Sequence, residues 1–361
     1  MIRVGIVGFG MAARVFHAPL ISSVEGIELA AVVERNSDNA AARYPGIVTY
    51  RSLDAMLADP SLGLFVVATP NATHFDVAKQ ILQTGKSVVV DKPMATTSAE
   101  IAQLMELAAK HNALLFPFHN RRWDRDFQTL QKLIREQSVG RVVHLESTFD
   151  RWSPGPTRRP WKNDPAEGGL LLDLGTHLAD QALELFGLPQ AVSADILRER
   201  EGEGASDSFT VRLLYPGFSV TLSANALSTL PRPRFHLRGS HGNYWKWGLD
   251  TQEAELNQIT QITNPKWGQE PSETWGTLKV DLDGSKVTCP VPAIPGDYRH
   301  FYAGVRDALL GKAPIPVSAH AAWRVARLLE FAAQSATQRR EIACDWSDEL
   351  NVANAPYDAH P

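Results

Sequence analysis

The segment Gly8-Phe-Gly10-Met-Ala-Ala13 constrains this chain more than any other. It follows a β-branched apolar run, Ile2 to Val7, and opens an amphipathic stretch. A first glycine allows a tight turn, a second lets main chain approach a pyrophosphate, and a third small residue allows close helix–strand packing. The helix that follows would turn its free N–H groups toward phosphate charge. A glycine turn after a strand is common and usually only structural. Its place after a buried N-terminal strand makes Gly8, Gly10, Met11, Ala12 and Ala13 a candidate dinucleotide cradle.

The rest of the first third continues the pattern. Leu29 to Val33, Leu64 to Ala68, Ser87 to Val90 and Leu114 to Phe118 read as strands. Amphipathic stretches such as Phe75 to Gln83 and Ser98 to Lys110 lie between them. Alternation of this kind predicts a parallel sheet with helices on both faces. After His119 the pattern changes. Helices are expected over Asp126 to Glu136, Leu174 to Leu185, His300 to Leu310 and Ala319 to Ala336, with a long strand from Arg141 to Phe149. Phe209 to Leu214 and Ser219 to Ala224 flank Tyr215-Pro-Gly-Phe218, a hairpin signal. The expected class is therefore α/β. A Rossmann fold over residues 1–120 binds the dinucleotide. An α+β domain over 121–345, with an open, mostly antiparallel sheet, serves substrate binding and oligomerisation. Residues 346–361 form a tail.

Composition narrows the partners. The 361 residues carry 36 Lys and Arg against 40 Asp and Glu, a net charge of −4. No basic segment would offset phosphate repulsion, so neither nucleic acid nor an anionic membrane is expected. Two cysteines, Cys289 and Cys344, make a disulfide framework or a zinc site improbable, and no metal is expected. The opening residues read as a strand rather than a secretory signal, which points to a cytoplasmic protein.

Several segments carry candidate chemistry. Glu34 ends the second strand, where a carboxylate would bond the ribose hydroxyls of NAD; Arg35 beside it suits a 2′-phosphate. The cofactor is thus NAD or NADP, with a slight lean to NAD. Thr69-Pro70-Asn71, with His74, follows the third long apolar strand run, and could close over the nicotinamide or be a plain turn. Asp91-Lys92-Pro93 sits at the strand end where ligands of doubly wound sheets bind, and Lys92 could anchor a developing alkoxide. A cis bond before Pro93 is possible. Asp173 and His177 fall one turn apart on an expected helix, so the histidine could be a base oriented by the aspartate. Taken alone, such a pair is more often a cap with a satisfied histidine.

Together these segments resemble the family of glucose–fructose oxidoreductases, inositol 2-dehydrogenases and rhizopine-catabolism-type dehydrogenases. The resemblance runs through Gly8 to Ala13, Ala68 to Asn71 with His74, Gly85 to Pro93 and Gly168 to Asp180. His119-Asn-Arg-Arg-Trp-Asp-Arg-Asp-Phe127 and Phe16-His-Ala-Pro-Leu20 resemble the scyllo-inositol dehydrogenase branch. The resemblance implies that Lys92 anchors the reacting hydroxyl, His177 is the acid/base and Asp173 positions both. It also implies substrate contacts from Asn120, Arg122 and Trp161, and cofactor contacts from Asp91, Lys92, Trp161, Lys162 and Tyr298. A cyclic polyol or sugar is the implied substrate, and a homodimer or higher homo-oligomer the implied assembly. Specificity is expected in the Arg151 to Asp164 loop and in the Trp245 to Trp275 segment, whose aromatic faces suit sugar C–H surfaces. Asp91 replaces a commoner glutamate, and Glu34 replaces the small polar residue usual in the NADP-using branch. Two rival readings share the fold: a NAD-dependent glycoside hydrolase and a non-enzymatic dinucleotide sensor.

Overall fold

In the computed structural model, residues 1–155, 164, 169–202 and 204–349 are described. The first sheet holds β1 (Ile2–Val7), β2 (Ile27–Val33), β3 (Val48–Tyr50), β4 (Leu64–Val67), β5 (Ser87–Val90) and β6 (Leu115–Pro117). All pairs are parallel and the order is β3-β2-β1-β4-β5-β6. Its strands read as nearly continuous apolar runs because both faces are covered. Side chains alternate between two cores: Val4, Ile6, Val32, Val66, Val89 and Phe116 enter one, and Val7, Val33, Phe65, Val67, Val88 and Val90 the other. Order reverses between β1 and β4, which opens a crevice at their carboxyl ends.

The second sheet has nine strands: β7 (Val142–Asp150), β8 (Ala191–Leu197), β9 (Ser208–Tyr215), β10 (Phe218–Asn225), β11 (Phe235–Gly239), β12 (Gly242–Lys246), β13 (Gly276–Leu282), β14 (Ser285–Val291) and β15 (Ile342–Ala343). Every pairing is antiparallel except β7 with β10. The expected hairpin pairs Phe218 with Tyr215, and Gly217 takes the positive φ (82°) that the turn needs. In β9, Phe209, Val211 and Leu213 face the helices while Thr210 and Arg212 are exposed, so one face of the sheet is left open.

Among the described residues six longer helices complete the fold: α1 (His74–Gln83), α2 (Ser98–Lys110), α3 (Arg125–Arg135), α4 (Thr176–Phe186), α5 (Arg299–Leu309) and α6 (Ala319–Gln338). Thr97 and Glu100 form a capping box that fixes the start of α2. The chain does not stay on one side. In α5, Phe301, Tyr302 and Val305 pack into the first sheet's core beside Val4 and Phe116. Helix α6 lies against α2 and α4, touching both units. Among the described residues no helix is long and apolar enough to cross a membrane.

Two short π-helices interrupt the regular pattern, Ala13–His17 after the glycine turn and Leu171–Gly175 leading into α4. The expected helix start at Leu174 is therefore corrected: helical backbone already runs from Leu170. Such π segments cluster at functional sites because the widened ladder re-aims a side chain and frees a carbonyl.

Candidate active site

A cleft of about 1280 Å3 opens at the carboxyl ends of β1, β4, β5 and β6 and is walled on its far side by the second sheet. Gly8 has φ +89°, and a Cβ there would come within 3.1 Å of the Ala68 carbonyl oxygen. Its glycine is required by the turn itself. Gly10 differs: a Cβ there would meet nothing within 4 Å. No protein neighbour demands that glycine, and the open space beside it fits close approach of a pyrophosphate. Met11 and Ala12 border the same space, while Ala13 is fully buried against the sheet as the third small residue. Thr69, Pro70, Asn71 and Asp91 continue the wall. The residues present fit a dinucleotide.

The reactive end is assembled from two distant segments. Lys92 follows β5 in a cis Lys92–Pro93 unit. Its Nζ donates to the main-chain oxygen of Asp173 (2.6 Å) and to Asp173 Oδ1 (2.9 Å). The π-helical turn supplies that carbonyl, so Asp173 grips the ammonium with both main chain and side chain. Asp173 lies in this π turn and His177 at the start of α4, and both line the cleft.

His177 is buried, and its Nδ1 has no hydrogen-bond partner among the described residues. Burial first, then the nearby charges of Lys92, Arg121 and His119, hold the imidazole well below its ordinary pKa; Asp173 opposes them. The ring is neutral at neutral pH and can accept a proton. Behind Lys92, Asp91 Oδ1 accepts the Lys92 main-chain N–H at 2.8 Å. Asp91 Oδ2 lies 3.9 Å from His17 Nε2, and His17 Nδ1 is 2.6 Å from the Tyr302 hydroxyl. Burial raises the Asp91 carboxyl, but His17, His74 and Lys92 outweigh it and keep the group ionised below the usual range.

Residues 2–119 match the model of an oxidoreductase family with a NAD-binding Rossmann fold, and residues 127–245 match the GFO/IDH/MocA C-terminal domain. The chain belongs to the GFO/IDH/MocA oxidoreductase family. Relatives include the Escherichia coli oxidoreductase YdgJ, 38% identical over 94% of this chain and 98% of that protein. The Bacillus subtilis scyllo-inositol 2-dehydrogenase (NADP(+)) IolW is 31% identical over 94% and 95% of the two chains. The structure of the Yersinia pestis oxidoreductase YPO2259 superposes with a TM-score of 0.90 at 40% identity, covering 95% and 97%.

Not every residue expected from sequence reaches the cleft of this GFO/IDH/MocA oxidoreductase. Asn120 does, but Arg122 does not: its Nε and Nη2 donate to Asp180 at 2.9 and 2.7 Å, and it also pairs with Glu184. A 3-10 turn over Asn120–Trp123 turns Arg121 to the cleft instead. Tyr298 is fully buried, donates to Asp124 Oδ1 at 2.5 Å and does not line the cleft. His74 is likewise buried, with its nitrogens 2.7 Å from the Pro93 oxygen and 2.9 Å from the Thr69 oxygen. It braces the two cleft loops from behind. Glu34 accepts from Ser37 Oγ (2.7 Å) and the Ala40 N–H (2.8 Å), which turns its carboxylate into its own loop and leaves Arg35 exposed. Trp161 and Lys162 lie outside the described residues. The tryptophan-rich segment does line the cleft, but through Leu249, Asp250, Glu253 and Asn257 and not through its indoles: Trp267 is buried and Trp247 is exposed. Phe16 and Arg151, from two segments that the sequence had singled out, also line it, as does Phe149, which carried no sequence signal.

Proposed function

We propose that this protein reversibly oxidises a secondary hydroxyl of a cyclic polyol or sugar to a ketone. The observation that carries the proposal is the Lys92–Asp173 contact beside a neutral His177, in the same cleft as the glycine turn. An ammonium has three donors. Two of Lys92's are spent on Asp173, and the third remains for a substrate oxygen. His177 takes the hydroxyl proton as the C–H bond breaks and returns it in the reverse direction. Bound NAD(P) supplies the acceptor for the hydride. Asp173 fixes Lys92, and Asn120 and Arg121, which line the cleft, are the proposed partners of neighbouring hydroxyls.

The pH dependence follows from His177. A base with a depressed pKa stays unprotonated as pH falls through 6.5 and is lost only below it. The kcat/KM for alcohol oxidation should therefore be level from pH 8 to about 6.5 and fall at lower pH. A descending limb already complete above neutrality would assign the base to another group.

NADP is the proposed partner. The lean toward NAD rested on Glu34 holding ribose, yet both its oxygens already accept bonds within the loop. IolW is an NADP(+) enzyme by name. Arg35→Ala should raise KM for NADP by about tenfold, the worth of one charge-assisted hydrogen bond, and leave KM for NAD within a factor of about two. An equal effect on both cofactors would remove Arg35 from this role. The open face of the second sheet supports a homodimer as the assembly.

The deciding experiment is a matrix of initial rates, followed by NAD(P)H absorbance, of NAD and NADP against inositols and common aldoses. Turnover on any of them supports the dehydrogenase. Retained dinucleotide with cleavage of an aryl glycoside and no net NADH would favour the hydrolase reading instead. Tight dinucleotide binding without either reaction would favour a sensor.

A further inference from the structure

A second cavity, of about 270 Å3, lies on the back of the catalytic segments. Its walls are the loop just past Lys92 (Pro93 to Thr96), the start of the π turn that carries Asp173 (Leu171, Leu172), and one side of α6 (Val325, Leu329). Met94, Ile101, Val325 and Leu329 are all buried, so the lining is mostly apolar. The polar rim is largely accounted for. Glu330 accepts from the Ser98 N–H (2.7 Å) and from Ser98 Oγ (2.8 Å), and Thr176 Oγ1 donates to the Leu172 oxygen at 2.7 Å.

One lining side chain is not. His119 is 2% exposed, and neither ring nitrogen has a hydrogen-bond partner among the described residues. The Asp180 carboxylate is 3.9 Å from Nδ1 and is already held by Arg122. A buried polar group left without a partner costs about 1–3 kcal/mol, so an orphaned ring against a cavity marks a missing partner. Burial holds this imidazole below its usual pKa, with Asp180 opposing, and it is neutral. A neutral ring offers one donor and one acceptor, and a hydroxyl can answer either.

We propose that this cavity is a second small-molecule site, for an uncharged ring or short chain bearing a single hydroxyl, of the phenol class. A charged ligand would lose its hydration against Met94 and Val325 without repayment. The size is right: an apolar cavity of roughly 150 Å3 takes benzene, and this one has room for a substituted ring. Its place gives it a consequence. An occupant would brace both the loop after Lys92 and the π turn holding Asp173, and its bond to His119 would alter the field at His177. That consequence rests on the proposed reaction; the binding itself does not.

The probe is 4-bromophenol, with bromobenzene as the partner lacking a hydroxyl. The full-length protein is saturated with NADP, so that the cleft is filled, and binding is followed by ligand-observed NMR. Crystals soaked in 4-bromophenol locate the bromine by its anomalous signal. The expected result is saturable binding, bromine density between α6 and the π turn, and at least tenfold weaker binding in Ala326→Phe, which fills the cavity. His119→Leu should weaken 4-bromophenol about tenfold and spare bromobenzene, one hydrogen bond being worth about that factor. Absence of saturable binding with only water on His119, or bromine density elsewhere, would overturn the proposal. So would equal loss of both probes in His119→Leu. Should Ala326→Phe fail to fold, the soaked wild-type crystal decides alone. A modulation of Lys92-dependent turnover that tracks occupancy would extend the site to regulation; binding without it would leave the site and remove the regulatory consequence.

Discussion

Lys92→Ala is expected to lower kcat by about 10²–10³-fold, the cost of removing one donor aimed at a developing oxyanion, with dinucleotide affinity kept within a few-fold. The reason is local. Lys92 follows β5, apart from the glycine turn that would hold the pyrophosphate; it lines the cleft, and two of its three donors go to Asp173. Loss in kcat and kcat/KM together, with unchanged affinity, is the mark of an interaction made in the transition state. Steady-state rates on a verified substrate and a fluorescence titration of NADPH test both halves. A variant that kept kcat within about tenfold would take Lys92 out of the reaction. A variant that lost NADPH affinity instead would make it a cofactor ligand.

The largest effect on stability is expected at Arg125. This side chain is fully buried, and its Nε donates to Asp250 Oδ2 at 3.0 Å and its Nη2 to Thr251 Oγ1 at 2.9 Å. Asp250 also accepts the main-chain N–H groups of Arg125 (2.8 Å) and Gln252 (2.7 Å), tying the start of α3 to the cleft wall. Nearby, burial and the carboxylates of Asp250 and Asp126 push the Asp124 carboxyl up to about 8, although Arg121 opposes them. Further loss of positive charge here is badly tolerated. Arg125→Met should cost about 3–5 kcal/mol, because it leaves Asp250 buried and uncompensated. Denaturant midpoints measure this. Adding Asp250→Leu should recover part of the loss if the orphaned charge is the cause. No recovery would make the deficit one of packing.

Much of the architecture was legible in advance because it is written in local patterns. Runs such as Leu64 to Val67 and Ser87 to Val90 are apolar on both faces, which only a doubly covered parallel sheet accommodates. The Tyr215 to Phe218 turn carries its own hairpin chemistry in Gly217. Residues 98–110 announce a helix through their amphipathic spacing, and the structure starts it with a capping box at Thr97 and Glu100. The π-helical turns were not legible, since Leu171–Gly175 has the same periodic apolar spacing as an ordinary first turn of helix.

The same division runs through the site. Sequence alone determined the residue types of each site segment: a glycine turn after β1, Thr-Pro-Asn after β4, Asp-Lys-Pro after β5, and an Asp–His pair where the chain enters α4. These are local because each loop's chemistry lies within a few residues. Tertiary structure decided which of them meet. That Lys92 reaches Asp173, 81 residues away, depends on how the second unit docks on the first. That Arg121 rather than Arg122 faces the cleft depends on the pitch of one 3-10 turn. That Glu34 turns inward and Tyr298 is buried depends on what else had space to fill those positions. A side chain's type is set by its codon, but its direction is set by packing, in which every buried polar group must find a partner and every cavity its neighbours.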